Sequence, residues 1–296
     1  MSLIPLAVFS SHLHGSLRCF GALLAIAATH NALSTPPVAP IKPTTTASEN
    51  TPARGRILLF SKTASFRHDS IPNAIACVKE LLADRYDIDA TEDATVFTAE
   101  NLARYRAVVF LSTTGDILND AQQAAFEGFI HNGGGYAGVH AAADTEHTWP
   151  WYGKLVGAYF KTHPKPQEST VRVEDRTHRS TRMLPAEWKR FDEWYVYDHN
   201  PRSSVTVLAN LDDSTVTGAN MGGDHPIAWY HEWEGGRSWY TGGGHTKESY
   251  DEPLFRQHLE GGILWAASAP ESAKVPQDAP ATRDSKANTP APSTTK

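Results

Sequence analysis

The chain has 296 residues, of which 40% are hydrophobic and 20% are charged, so it can bury one sizeable core. This composition excludes collagen-like, coiled-coil and extended repeat architectures. The formal net charge of -6 at pH 7 argues against a polyanion-binding surface, and no nucleic-acid partner is expected.

The first residues are typical of a targeting segment. Arg18 precedes an apolar run over residues 19–28, and the small residues that follow offer cleavage sites of the signal-peptidase type. A membrane-spanning helix needs about 20 apolar residues, so no permanent membrane span is expected. We therefore predict a signal peptide over residues 1–34 and an exported protein, either periplasmic or extracellular.

Two segments rich in Pro, Thr, Ala and Ser flank the folded region. Residues 35–52 are predicted to be a disordered linker and residues 270–296 a disordered tail, because neither can bury enough apolar surface to offset its ordering entropy. The folded domain is then expected over residues 53–269. Within it Cys77 has no cysteine partner, and its helical apolar pattern predicts a buried structural thiol.

Strand and helix patterns alternate in the first half of the domain. The spacing predicts strands at residues 56–60, 86–90, 107–111 and 136–139, and helices at residues 70–83 and 120–131. Ser70 is expected to cap the first of these helices, and Asn119 or Asp120 the second. Strands separated by helices of this length predict a parallel sheet with helices on both faces.

The stretch from Gly133 to Asp144 predicts a buried strand that turns sharply at His140 into a helix. A side chain on such an elbow stands above the edge of the sheet, where α/β proteins hold their ligands. Enzymes with this turn usually carry Ser or Cys there as the nucleophile, whereas this chain has His. The elbow favours a hydrolase-like or amidotransferase-like scaffold without covalent chemistry. The alternative is a glycine-rich turn with an incidental histidine.

The second half of the domain has a different sequence pattern, in which short predicted strands are joined by polar turns. Strands are predicted at residues 169–174, 204–209, 226–231 and 237–241, followed by a closing helix at residues 252–267. Antiparallel strands added to the parallel core are therefore expected. The Trp and Tyr residues of this half either pack in the core or stack on a sugar.

Polar clusters follow several predicted strands, where the carboxyl ends of parallel strands meet. His68 follows the first strand, Thr113 to Asp116 follow the third, His140 ends the glycine-rich strand, and His245 follows Gly242-Gly243-Gly244. Backbone N–H groups near Gly115 are expected to form an anion-binding concavity. His140 and His245 form the strongest candidate pair, since both end predicted core strands.

Together these motifs resemble the ThuA-like family, named for trehalose utilisation. The resemblance rests on Phe66-Arg67-His68-Asp69-Ser70-Ile71, Gly138 to Asp144, His163-Pro164, Asp192-Glu193-Trp194-Tyr195, His225 to Trp229, and Gly235-Gly236-Arg237 leading to Gly244-His245. It implies a class I glutamine amidotransferase-like fold of the flavodoxin type and a link to carbohydrate metabolism. His140 and His245 would occupy the nucleophile and base positions of the amidotransferases. Amidotransferase activity is not expected, because no residue at the elbow can form the thioester.

Because the elbow carries no nucleophile, two kinds of chemistry remain as hypotheses. In the first, His140 and His245 exchange protons, and Glu193 or Asp144 orients a ring or acts as the second base. In the second, a divalent metal such as zinc is bound by histidines with a carboxylate. The candidate metal ligands are His68, His140, His163, Glu193 and His245.

A small carbohydrate is the expected ligand of either site. The candidate substrate-binding residues are Arg67, His68, Gly115, His163 and Trp229. A sugar hydrolase, lyase or isomerase is one hypothesis, because several titratable groups converge. A carbohydrate-binding module without turnover is the other.

Overall fold

The computed structural model describes residues 54–268. The predicted signal peptide, linker and tail lie outside these residues, which cover the predicted domain almost completely. Within the described part, none of the helices has the length and apolar character that crossing a membrane requires.

The described chain contains eleven named strands and five α-helices. The strands are β1 (Gly55–Phe60), β2 (Tyr86–Thr91), β3 (Tyr105–Leu111), β4 (Gly135–Val139), β5 (Phe160–Thr162), β6 (Gln167–Val173), β7 (Glu187–Asp192), β8 (Val196–Tyr197), β9 (Thr206–Leu211), β10 (Pro226–Trp233) and β11 (Gly236–Thr241). The helices are α1 (Ile71–Leu82), α2 (Ala99–Leu102), α3 (Asp120–His131), α4 (Pro150–Val156) and α5 (Pro253–Ala266).

Nine strands form one mixed sheet in the order β2-β1-β3-β4-β11-β10-β9-β6-β7. The first five of this order pair in parallel, and the remaining neighbours pair antiparallel. The strands β5 and β8 form a separate two-stranded ribbon. The predicted α/β fold, with a parallel core and antiparallel strands in the second half, is confirmed.

Helices cover both faces of the parallel half. The adjacent residues Ser238 and Trp239 on β11 point to opposite faces, as neighbours in a strand must. Ser238 Oγ donates to Leu155 O of α4, whereas Trp239 packs against Gly262 of α5. A Cβ on Gly262 would lie 2.1 Å from the Trp239 ring, so this helix contacts the sheet too closely for any larger residue.

Of the two predicted N-cap residues, Asn119 makes the capping hydrogen bonds and Ser70 does not. Asn119 forms a complete capping box with Gln122 at the start of α3. Ser70 is the N-cap residue of α1, as predicted, but its side chain makes no capping hydrogen bond there. Instead, Ser70 Oγ donates to Gly244 O at 3.4 Å, because tertiary contact with the loop after β11 competes for the hydroxyl.

The antiparallel half curls back towards the parallel strands. The strand β7 lies four positions from β11 in the sheet, yet Asp192 at its end accepts hydrogen bonds from Gly244 and His245, which follow β11. A flat sheet could not make this contact, since neighbouring strands are about 4.8 Å apart. The curl therefore carries the residues after β7 to the carboxyl edge of the parallel strands. The strand β7 and the short ribbon of β5 and β8 were not among the predicted strands.

Candidate functional site

The elbow after β4 places His140 at the carboxyl edge of the sheet. His140 has a φ of 49°, which is uncommon for a residue other than glycine and is typical of strained functional turns. The element that follows is a 3₁₀ helix over His140–Asp144 rather than the α-helix predicted. Tyr240 Oη donates to His140 O at 2.8 Å, and the ring of Tyr195 lies 4.3 Å from the imidazole between centroids. These contacts hold the strained turn in place.

The tautomer of His140 follows from a single contact. Its Nδ1 lies 2.8 Å from the carbonyl oxygen of Gly242, which can only accept, so Nδ1 carries the proton. In the neutral ring Nε2 then has a free lone pair. This nitrogen points towards His245 and Glu193 and is available for a proton or a metal ion.

Four side chains from separate segments converge at this edge, and we call His68, His140, Glu193 and His245 the quartet. One ligand atom from each lies within 4.8 Å of all the others. His245 Nδ1 is 3.2 Å from His140 Nε2 and 3.1 Å from Glu193 Oε2, and the latter two atoms are 3.4 Å apart. The ring of His68 lies 4.8 Å from that of His140 and 5.1 Å from that of His245. His68, His140 and Glu193 are buried, and His245 is partly buried.

Burial and mutual charge set the protonation of the quartet. Burial, together with the nearby charges of His140 and His245, lowers the pKa of His68 to about 3. Burial would raise the pKa of Glu193, but its interactions with His140 and His245 outweigh this effect and hold that pKa below its ordinary value. Partial burial would lower the pKa of His245, yet Glu193 outweighs this effect and raises it. At neutral pH the quartet thus offers a neutral His68 and an ionised Glu193.

His163 lies at the mouth of the quartet and not inside it. Its Nδ1 is 3.0 Å from Glu193 Oε1 and 2.9 Å from Pro164 O, and its side chain is 41% exposed. Glu193 therefore uses one carboxylate oxygen within the quartet and the other towards this exposed ring. His163 does not belong to the set of side chains whose ligand atoms all lie within 4.8 Å of one another. Its position suits a group that moves protons between the site and solvent.

Two predicted site residues have other partners. Asp144 accepts from His147 Nε2 at 2.9 Å and does not orient His140, because the carbonyl of Gly242 takes that role. The expected anion-binding concavity at Gly115 is also absent. Its N–H donates to Asp144 O, and the nearby N–H groups of Ile117 and Leu118 donate to Glu146 Oε1. A protein carboxylate thus occupies the position expected for a ligand.

Two further candidates for substrate binding differ in exposure. Trp229 is fully buried and donates its Nε1 proton to Val156 O, so a substrate cannot reach its ring. Arg67 is exposed and pairs with both carboxylate oxygens of Glu92. Its neighbour Phe66 is 63% exposed and lies edge-on to His68, with ring centroids 4.9 Å apart. Phe66, which the sequence did not single out for substrate binding, is the exposed aromatic side chain beside the quartet.

A cavity of about 470 Å³ lies at the opposite edge of the sheet. Tyr105, Phe129 and Gly134 contribute to its lining, which contains neither a histidine nor a carboxylate. Because titratable groups are needed for the chemistry considered, we assign the candidate site to the quartet rather than to this cavity.

Comparison with known proteins gives the family. The chain matches the family described as "ThuA: Trehalose utilisation" over residues 56–266. A ThuA-like protein from Bacteroides uniformis is 27% identical, with a TM-score of 0.65, over 76% of this chain and 96% of that one. A ThuA-like protein from Parabacteroides merdae shares the fold at 19% identity, with a TM-score of 0.62, over 76% of this chain and 94% of that one. No curated protein is similar enough to count as a match. Since the family match spans most of the sequence, the chain belongs to the ThuA family.

Proposed function

We propose that this ThuA protein is an exported carbohydrate-processing enzyme whose site binds a divalent metal ion, of which zinc is the type case. The observation that carries the proposal is the convergence of three imidazoles and one carboxylate within 4.8 Å. Imidazole nitrogen and carboxylate oxygen are established ligands of zinc and of related first-row divalent ions. The carbohydrate part of the proposal is supported by the family description.

The ligand atoms fit such an ion. Ligand atoms about 2.0–2.1 Å from a tetrahedral zinc ion lie about 3.3 Å from one another. The atoms of His140, Glu193 and His245 form a triangle with sides of 3.1, 3.2 and 3.4 Å. A ring nitrogen of His68 lies within 4.8 Å of these three atoms, and its Nδ1 is a buried atom without a hydrogen-bond partner. An orphaned buried nitrogen costs free energy unless something binds it, so it supports a ligand at this place.

The surrounding residues orient one of the ligands and leave one side of the site exposed to solvent. Gly242 fixes the ring of His140 through its carbonyl oxygen, as an outer partner of a metal-bound histidine commonly does. The exposed side chains of Phe66 and His163 mark where a sugar can enter. A divalent ion held by His140, Glu193 and His245 would keep a fourth position open, where it would polarise a substrate oxygen or lower the pKa of a water molecule.

His163 and Glu193 provide the proton chemistry of this proposal. Glu193 Oε1 lies 3.0 Å from His163 Nδ1, so a proton can pass between the site and an imidazole that contacts solvent. The reaction class that this arrangement serves is hydrolysis, elimination or isomerisation of a sugar. A mechanism through an acyl-enzyme is not proposed, because the elbow carries His140.

The test is metal analysis of the purified full-length chain, followed by assays on trehalose and 3-keto-trehalose with product detection. We expect about one equivalent of metal, and turnover that a chelator abolishes and zinc restores. His140→Ala and His245→Ala should lose both metal and turnover. His131→Ala is the matched control, because His131 is an exposed histidine that pairs with Glu234 on another part of the surface.

The other outcomes separate the alternatives. Turnover by a metal-free chain would support acid–base catalysis by His140 and His245 and contradict the metal proposal. Sugar binding without any product from either substrate would support a binding module. Loss of metal from His131→Ala as well would show that the variants act through folding.

A further inference from the structure

A second carboxylate lies directly behind the quartet. Asp192 ends β7 and is fully buried. Its Oδ1 accepts the backbone N–H of Glu193 at 2.9 Å and that of His245 at 3.0 Å. Its Oδ2 accepts the N–H of Gly244 at 2.8 Å. One side chain is thus hydrogen-bonded to the backbone of two members of the quartet, although these follow different strands.

We propose that Asp192 is the positioning residue of the metal site, an inference that rests on the proposed function. Glu193 and His245 are distant in sequence, so nothing local holds their ligand atoms 3.1 Å apart. By accepting both N–H groups on one oxygen, Asp192 fixes the distance between the two backbones before an ion arrives. Preorganised outer contacts of this kind commonly determine metal affinity.

The surroundings show that the loop is built to reach this carboxylate. Gly244 has a φ of 109°, which disfavours any residue with a Cβ. A Cβ on Gly243 would lie 2.4 Å from Arg190 Nη1 and 3.2 Å from Asp192 Oδ2. Both glycines therefore permit the close approach of the loop after β11 to Asp192.

An ion pair alone does not explain these contacts. Arg190 Nη2 lies 3.1 Å from Asp192 Oδ2 and compensates its buried charge. Arg190 also pairs with Glu252 at 3.0 Å on its other side. If Asp192 served stability alone, its ion pair with the guanidinium of Arg190 would be sufficient. Asp192 additionally accepts the backbone N–H groups of Glu193, Gly244 and His245, two of which are proposed metal ligands.

The experiment measures zinc affinity of the full-length chain by competition with a chelator. In Asp192→Asn the amide nitrogen faces the N–H of Gly244 and the guanidinium of Arg190, so the loop shifts, and we expect affinity to fall about 10–100-fold. Glu252→Gln is the matched control: it weakens the other ion pair of Arg190 and leaves the Asp192 contacts intact. It should lower Tm without changing zinc affinity. Equal affinity of Asp192→Asn and wild type, or an equal loss in Glu252→Gln, would overturn the inference.

A second measurement avoids the risk that Asp192→Asn does not fold. Hydrogen exchange of the metal-free wild-type chain should show the amides of Glu193, Gly244 and His245 protected like those of β11. Exchange at the rate of exposed loops would overturn the inference even if zinc binds. A wild-type chain that binds no zinc would instead refute the proposed function, and the inference about Asp192 would fall with it.

Discussion

Zinc binding to this protein should release a proton from His245. The Nδ1 of this histidine lies between Glu193 Oε2 and His140 Nε2, at 3.1 and 3.2 Å, so its proton points into the space that an ion would occupy. The carboxylate raises the pKa of His245, which keeps that proton bound over a wider pH range. A metal ion and this proton therefore compete for the same nitrogen.

The size of the effect follows from these protonation states. An unperturbed histidine with a pKa of about 6.5 is half protonated at pH 6.5 and would release about 0.5 proton. His245 should release more than this, because its pKa is raised. His68 should release none, because its pKa of about 3 keeps it neutral there. Below the pKa of His245, zinc affinity should weaken about tenfold per pH unit, or about 1.4 kcal/mol.

Isothermal titration in two buffers of different ionisation enthalpy at pH 6.5 counts the released protons. The matched variant is His245→Gln, which should bind zinc more weakly and release fewer protons than wild type. An unchanged proton count in His245→Gln would refute the assignment, since another group would then supply the proton. Wild-type binding without proton release would refute the arrangement of charges described for the quartet.

Three further outcomes are expected. His258 is buried with a pKa of about 3, so its contribution to stability is fully present above about pH 6.5 and is lost as the pH falls towards 3; the loss amounts to about 2 kcal/mol by pH 5. His258→Asn should lose that much less between pH 7.5 and 5 in urea unfolding, and equal losses would contradict the account. Cys77→Ala should keep full zinc binding and turnover, because burial raises the thiol pKa to about 11. The substitution should cost about 1 kcal/mol in unfolding free energy. Selective loss of turnover would reopen a thiol mechanism. Intact-mass analysis of protein from its native compartment should show loss of about the first 27 to 34 residues, whereas an unprocessed cytoplasmic species would contradict export.

The regular elements were largely predictable because their hydrophobic patterns are local. The apolar runs that became β1, β3 and β4 are short and bounded by polar turns, and the capping box of α3 is encoded within four residues. The strand β7 was not recognised, because its alternating buried and exposed residues include Lys, Arg and Asp. Burial of Arg190 and Asp192 depends on their pairing with each other, which no local pattern reveals.

The sequence by itself determined the fold class and singled out His68, His140, Glu193 and His245, because strand ends and family motifs are written along the chain. Only the tertiary structure decided which of the candidates belong together. The curl of the antiparallel half brings the residues after β7 beside those after β11, and so adds Asp192. The same packing buries Trp229 in the core. Such choices depend on distances between strands that are remote in sequence, and hydrophobic periodicity carries no information about them.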